Sequence, residues 1–345
     1  MELSKIIKYR SVWMALAIIW VVIFHTTMII PNSIVKFIKQ IGYGGVDIFI
    51  FASGLGCYYS LNKNSDINEF LKRRFKKLMP TFWIFLVVFI LYKKLNGGIG
   101  LSAIIGNILC IQTFTFRGNS FNWYICGIWL FYFLAPYIYL HTNRIKSKFG
   151  VIIYILFLTL FSIPFIKCNN LIIMITRLPL FFMGMYCAKL SKDKEYKLSR
   201  LSITISLIFM ILGIVILKYC YIHYSKYLWS YGLHWYPYIL ITPGLCICIS
   251  YLCNLIDNKK IGKNIIKFFN MIGSNTFEVY LVHILFFGII KDKIKHGELT
   301  NSNMLWLKCF GIIIVCSILL KYITKLVMYI YEKITIKLIN KETTS

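Results

Sequence analysis

The chain has 345 residues, 59% of them hydrophobic and 15% charged, with a mean hydropathy of +0.70. That balance excludes a soluble globular domain of this length. The formal charge of +27 would point to nucleic acid in a soluble protein, but here Lys and Arg sit at the ends of apolar runs, so it is assigned to topology and anionic lipid, with no nucleic-acid partner.

Apolar runs of membrane-spanning length recur from one end to the other. The first, 11–30, is followed by no small-residue cleavage site and reads as a membrane helix rather than a removable signal peptide. Further spans are expected at 41–61, 79–92, 121–140, 149–166, 171–190, 201–221, 229–255, 274–290 and 304–330. The fold class is therefore all-α: one polytopic helical bundle over residues 1–345, about ten transmembrane helices, no soluble domain, in the cell membrane.

Residues 97–120 are the awkward segment. They are apolar but carry Gly97, Gly98, Gly100, Gly106 and Gln112. Charge decides the matter. With ten spans and both termini cytoplasmic, the larger share of Lys and Arg falls inside, including a basic loop at 62–79. An eleventh span would move the basic loops at 144–148, 192–200 and 259–267 outside. Segment 97–120 is thus expected to be re-entrant or interfacial on the outer side, beside a watery cavity.

Ionisable groups inside spans are costly and mark function. His25 lies roughly 21 Å along the first span at about 1.5 Å per residue. Asp47, early in the returning span, falls at a similar depth. A carboxylate beside an imidazole orients the ring and raises its basicity, so the pair is expected to form a general base. The alternative is a histidine and an aspartate that only bond helices together. Asp47 stands in Gly44-Gly45-Val46-Asp47-Ile48-Phe49-Ile50-Phe51-Ala52-Ser53-Gly54, whose small residues permit close helix approach.

The basic loop carries Lys72, Arg73, Arg74, Lys76 and Lys77. Fork-shaped guanidinium groups suit phosphate oxygens, although an isolated cluster also serves as an orientation signal. Arg177, near mid-span, needs an anionic partner, and Asp47 and Glu278 are the available carboxylates. Glu278 and His283 are about 140° apart around a helix and should meet different neighbours. Ser274 or Asn275 is expected to cap that helix. Trp123 and Tyr124, and the cluster from Tyr221 to Tyr236, read as interfacial aromatic belts or as faces for stacking sugar rings. The eleven cysteines contain no C-x-x-C and read as packing residues; no metal site is expected.

In order along the chain these pieces resemble acyltransferase family 3, polytopic membrane enzymes that O-acylate cell-surface glycans and other molecules. The resemblance rests on His25, on the G-V-D-x-F-x-x-x-S-G motif at Asp47 and Ser53, and on R-R-x-x-x-x-x-P at Arg73, Arg74 and Pro80. It continues through the W-Y pair at Trp123 and Tyr124, R-x-P-x-F-x-x-G at Arg177, and G-S-x-T-x-E-x-Y-L-x-H through Glu278 to His283. Residues 10–290 are covered.

The family's first helix carries an arginine where this chain has Met14. Arg10, one turn earlier on the same face, is placed to reach the same site. The resemblance implies acyl-CoA, expected to be acetyl-CoA, as cytoplasmic donor and a carbohydrate or its precursor as acceptor. It implies His25 and Asp47 as catalytic residues and Arg73, Arg74 and Arg10 as donor-binding residues. Ser53 and Arg177 are candidate oxyanion donors. A multi-helix transporter of a glycan or small molecule is the alternative, distinguished by flux without CoA consumption.

Overall fold

The computed structural model describes residues 2–111, 113–114, 123–193 and 196–342. The apolar runs become fifteen helices: α1 Leu3–Ile7, α2 Arg10–His25, α3 Ser33–Gln40, α4 Gly45–Lys63, α5 Ile67–Leu95, α6 Leu101–Ile108, α7 Trp123–Arg144, α8 Lys148–Leu160, α9 Asn169–Ile175, α10 Leu178–Leu190, α11 Arg200–His223, α12 Tyr238–Ile256, α13 Lys260–Gly273, α14 Thr276–Lys295 and α15 Asn303–Glu342. Among the described residues no strand occurs, only an isolated bridge between Glu2 and Lys197.

Among the described residues seven helices are long and apolar enough to cross a membrane, or up to nine if each of two pairs broken by a short bend counts as one span. The chain is a multi-pass membrane protein. α2, at 16 residues, is shorter than the expected 11–30 span. It stops at His25, and residues 26–31 run on as non-helical backbone up to Pro31. The expected span 229–255 also shrinks. Residues 224–237 form turns, with Gly232 at φ +73°, and α12 begins only after Pro237.

The basic stretch expected to be a loop is helical. Asp66 Oδ1 accepts from the backbone N–H of Glu69 at 2.8 Å and starts α5, which then runs unbroken through the Lys/Arg cluster and Pro80. Lys and Arg are good helix formers, so nothing stops the helix there. Its 29 residues are about 44 Å long at 1.5 Å per residue, enough to cross and still project a charged turn. Of the segment 97–120, α6 is helical and residues 112 and 115–120 lie outside the described residues.

The chain forms two compact units. The first comprises Met1–Phe24, Asn32–Leu71 and Cys110–Ser274; the second comprises His25–Pro31, Lys72–Leu109 and Asn275–Ser345.

In the first unit the closest helix pair is α4 with α10. A Cβ at Gly54 would lie 2.1 Å from the carbonyl oxygen of Phe181, and one at Gly184 would lie 2.1 Å from that of Phe51. Only glycine permits this approach. Further along the pair, Lys192 Nζ donates to Asn62 Oδ1 at 2.8 Å. The residues that meet keep one sequence offset, so α4 and α10 run parallel. Parallel neighbours need an odd number of crossings between them, and α5, α7 and α8 supply three. Phe51, Phe181, Phe182, Met185 and Phe131 fill the core around this pair. α11 turns Ile208, Leu212 and Val215 outward, as a lipid-facing helix does.

In the second unit α14 packs on α15. Val87, Val88 and Leu91 of α5 are exposed and suit lipid.

Candidate active site

Arg177 sits at the break between α9 and α10, where Pro179 opens the first turn of the new helix. Its side chain is wholly buried. Nη2 donates to Asp47 Oδ2 at 3.1 Å, and Nε lies 3.0 Å from Oδ1. Nη1 donates to the carbonyl of Ile173, one turn back. The guanidinium carbon is 5.6 Å from the Trp123 ring centre and 5.4 Å from that of Trp235. A planar cation thus has an anionic partner and two indoles within cation–π reach. Of the two possible carboxylate partners, the one it takes is Asp47.

Asp47 lies in the first turn of α4, where the helix dipole favours a negative charge. Two turns on, Gly54 makes the contact that brings α10 close enough for the ion pair. Ser53 hydrogen-bonds the hydroxyl of Tyr124, whose ring is 6.3 Å from Phe49. Trp229, His234, Trp235, Tyr43 and Tyr238 form a continuous aromatic cluster beside Arg177, with His234 Nδ1 3.2 Å from the Tyr43 hydroxyl.

The second unit holds His25 and His283, with ring centres 5.3 Å apart. Just beyond His25 the backbone is clasped by Asn301, which precedes α15, and Asn303, its first residue. Asn301 Nδ2 donates to the Thr27 carbonyl at 3.2 Å, Asn303 Nδ2 donates to the Ile29 carbonyl at 2.9 Å, and Asn303 Oδ1 accepts from the Ile29 N–H at 2.9 Å. Glu278 is buried one and a half turns before His283 and feels Lys321, Lys77 and Lys325. The two residues meet different neighbours, as the helical angle between them requires. Asn275 is the N-cap of α14, but its side chain makes no capping bond.

Arg73 is exposed and Arg74 half-buried on α5, one turn before the helix enters its apolar stretch. Arg10 begins α2 in the first unit, and its guanidinium packs against Gly56: a Cβ there would lie 3.1 Å from Nη2. Among the described residues no three His, Cys, Asp or Glu side chains group as a metal would need. Cys168 is the exposed member of the cysteines; the others are buried or half-buried.

Trp235 was expected as one member of the aromatic cluster from Tyr221 to Tyr236, and two further contributors were not expected from the sequence. Asn301 and Asn303 stood in Thr300-Asn301-Ser302-Asn303, which reads as an ordinary polar connection.

A family model described as an acyltransferase domain matches residues 13–322, nearly the whole chain. No curated protein and no solved structure matches it.

Proposed function

The chain belongs to that acyltransferase family and is a membrane acyltransferase, and from this premise we propose that it moves an acetyl group from cytoplasmic acetyl-CoA to a hydroxyl of a cell-surface carbohydrate or its precursor. The observation that carries the reading is His25. It is a family-motif histidine held at the very end of α2 by the asparagine clasp, beside a second imidazole. A ring fixed in place inside a membrane protein is what general-base catalysis needs.

In this reading His25 takes the proton of the acceptor hydroxyl as the oxygen attacks the thioester carbonyl. The carbon–sulfur bond breaks, and the thiolate of CoA leaves with a proton. Arg73 and Arg74 hold the anionic end of the donor, since guanidinium forks match phosphate oxygens. Arg10 is a further phosphate ligand in its own unit. Asp47 and Arg177 neutralise each other and fix α4 against α10 within the first unit, where Ser53 hydrogen-bonds Tyr124. Glu278 sets the charge among Lys77, Lys321 and Lys325.

α6 is read as a helix that does not cross between α5 and α7. The parallel course of α4 and α10 supports this, because a fourth crossing between them would make the pair antiparallel.

Mass spectrometry of surface glycans from cells with and without the gene tests the reading. Loss of an acetyl increment on deletion, restored by the wild-type chain and not by His25→Ala at equal membrane abundance, is the expected result. Membranes that carry a glycan across without releasing CoA would instead identify a transporter.

A further inference from the structure

His283 is buried with no exposure, and its surroundings do more than pack it. Nδ1 lies 3.0 Å from the carbonyl oxygen of Val279. A carbonyl only accepts, so this nitrogen carries the ring proton and Nε2 presents a bare lone pair. Among the described residues nothing donates to Nε2. A buried acceptor left empty is unusual enough to need a reason.

The ring cannot easily turn away. Tyr280 and Phe287 stand edge-on to it at 5.7 and 6.0 Å. Phe287 meets Trp306 at 5.0 Å, and Trp306 Nε1 donates to Asn301 Oδ1 at 2.8 Å. Asn301 is the same residue that clasps Thr27 beyond His25. One closed circuit of contacts therefore holds both imidazoles. Their 5.3 Å centre-to-centre spacing lets a nitrogen of each ring reach hydrogen-bond distance when the two are turned toward each other.

We infer that His283 is the positioning residue for His25: when the His25 ring turns toward it, the bare Nε2 of His283 accepts the N–H of His25 and so fixes the tautomer whose lone pair faces the acceptor hydroxyl. This rests on the reading of His25 as the base. A neutral imidazole has one N–H and one lone pair, and only the lone pair can take a proton. With its N–H committed to His283, His25 directs that lone pair at the substrate. When the oxygen–carbon bond forms, the hydroxyl proton moves to His25, which becomes an imidazolium. Its original N–H strengthens toward His283, because charge-assisted hydrogen bonds are the stronger kind. As the carbon–sulfur bond breaks, the thiolate takes the new proton and both rings end neutral. An imidazole here does for His25 what a carboxylate does in a Ser-His-Asp triad.

The test uses membranes containing the full chain with acetyl-CoA as the probe, following CoA release across pH together with glycan acetylation in cells. His25→Ala, His283→Phe and His283→Gln are compared at equal abundance. His283→Phe keeps a ring and removes both nitrogens; it should lower kcat on the order of a hundredfold, with KM for acetyl-CoA unchanged. His283→Gln places an amide near Nε2; it should keep part of the rate, with the limb of the pH profile that reports His25 displaced. Full kcat and an unmoved pH profile in His283→Phe would overturn the pair while leaving the enzyme reading intact. If His283→Phe does not accumulate, His283→Gln decides by the same profile. Undiminished activity in His25→Ala would instead sink the base itself.

Discussion

Arg177 and Asp47 form a buried ion pair across two parallel helices, with Nη2 donating to Oδ2 at 3.1 Å and less than a few per cent of either side chain exposed. A buried pair does not add much stability over a matched apolar pair, but removing one member strands the other charge. Arg177→Leu or Asp47→Leu should each destabilise the protein by about 3–5 kcal/mol. The double substitution should cost clearly less than the sum. Thermal unfolding in detergent of the two single variants and the double variant measures the coupling.

The ion pair depends on the glycine contact two turns away. Gly54→Val or Gly184→Val would drive a side chain into a backbone carbonyl 2.1 Å from the new Cβ. Backbone cannot rotate aside, so the helices must separate. A loss of about 1–3 kcal/mol or more is expected, read as a lower melting temperature in detergent. The same change at Gly288, where no atom lies within 4 Å of a new Cβ, should leave the melting temperature unchanged.

His25→Ala should reduce acyl transfer by about a hundred- to ten-thousand-fold, the usual range for losing a general base. KM for acetyl-CoA should stay the same, because the ring acts on the acceptor proton and not on the donor's phosphates. Initial-rate kinetics on membranes separates the two constants.

Arg73→Ala with Arg74→Ala should raise KM for acetyl-CoA about tenfold or more, since each charge-assisted hydrogen bond is worth about 1.5–3 kcal/mol. Dephospho-CoA esters should be less affected than the full donor. Lys36→Ala, on α3 of the first unit, is the control.

Lys8 Nζ and the Tyr9 hydroxyl both donate to Asp257 Oδ2, at 2.7 and 2.9 Å. These bonds, from Lys8 first and then Tyr9, hold the Asp257 carboxyl below its ordinary value, and the bond to Asp257 raises the Lys8 ammonium. A depressed carboxylate stabilises the fold above its ordinary range, near pH 3.9. That contribution is lost as pH falls through the depressed folded value. Asp257→Asn should therefore lower stability at neutral pH and flatten the acid limb of the melting-temperature profile.

Much of the architecture was legible in the residues. The long apolar runs of α7, α10, α11 and α15 could be nothing but membrane helices, and Arg177 announced that it needed an anion. The basic turn was legible as chemistry but not as structure: a cluster of Lys and Arg looks like a loop, yet Asp66 caps it and nothing in it breaks a helix. The non-helical stretch after the shortened first helix is tied down by Asn301 and Asn303, residues far away in the chain.

Hydropathy and charge are local properties, so the sequence alone determined that this chain crosses membranes many times and carries the motifs of an acyltransferase. Which carboxylate meets Arg177, which ring meets His25, and which glycines let α4 and α10 touch are matters of long-range pairing. Those were decided only when the helices packed, because a side chain buried in a membrane must find its partner on another helix rather than in water.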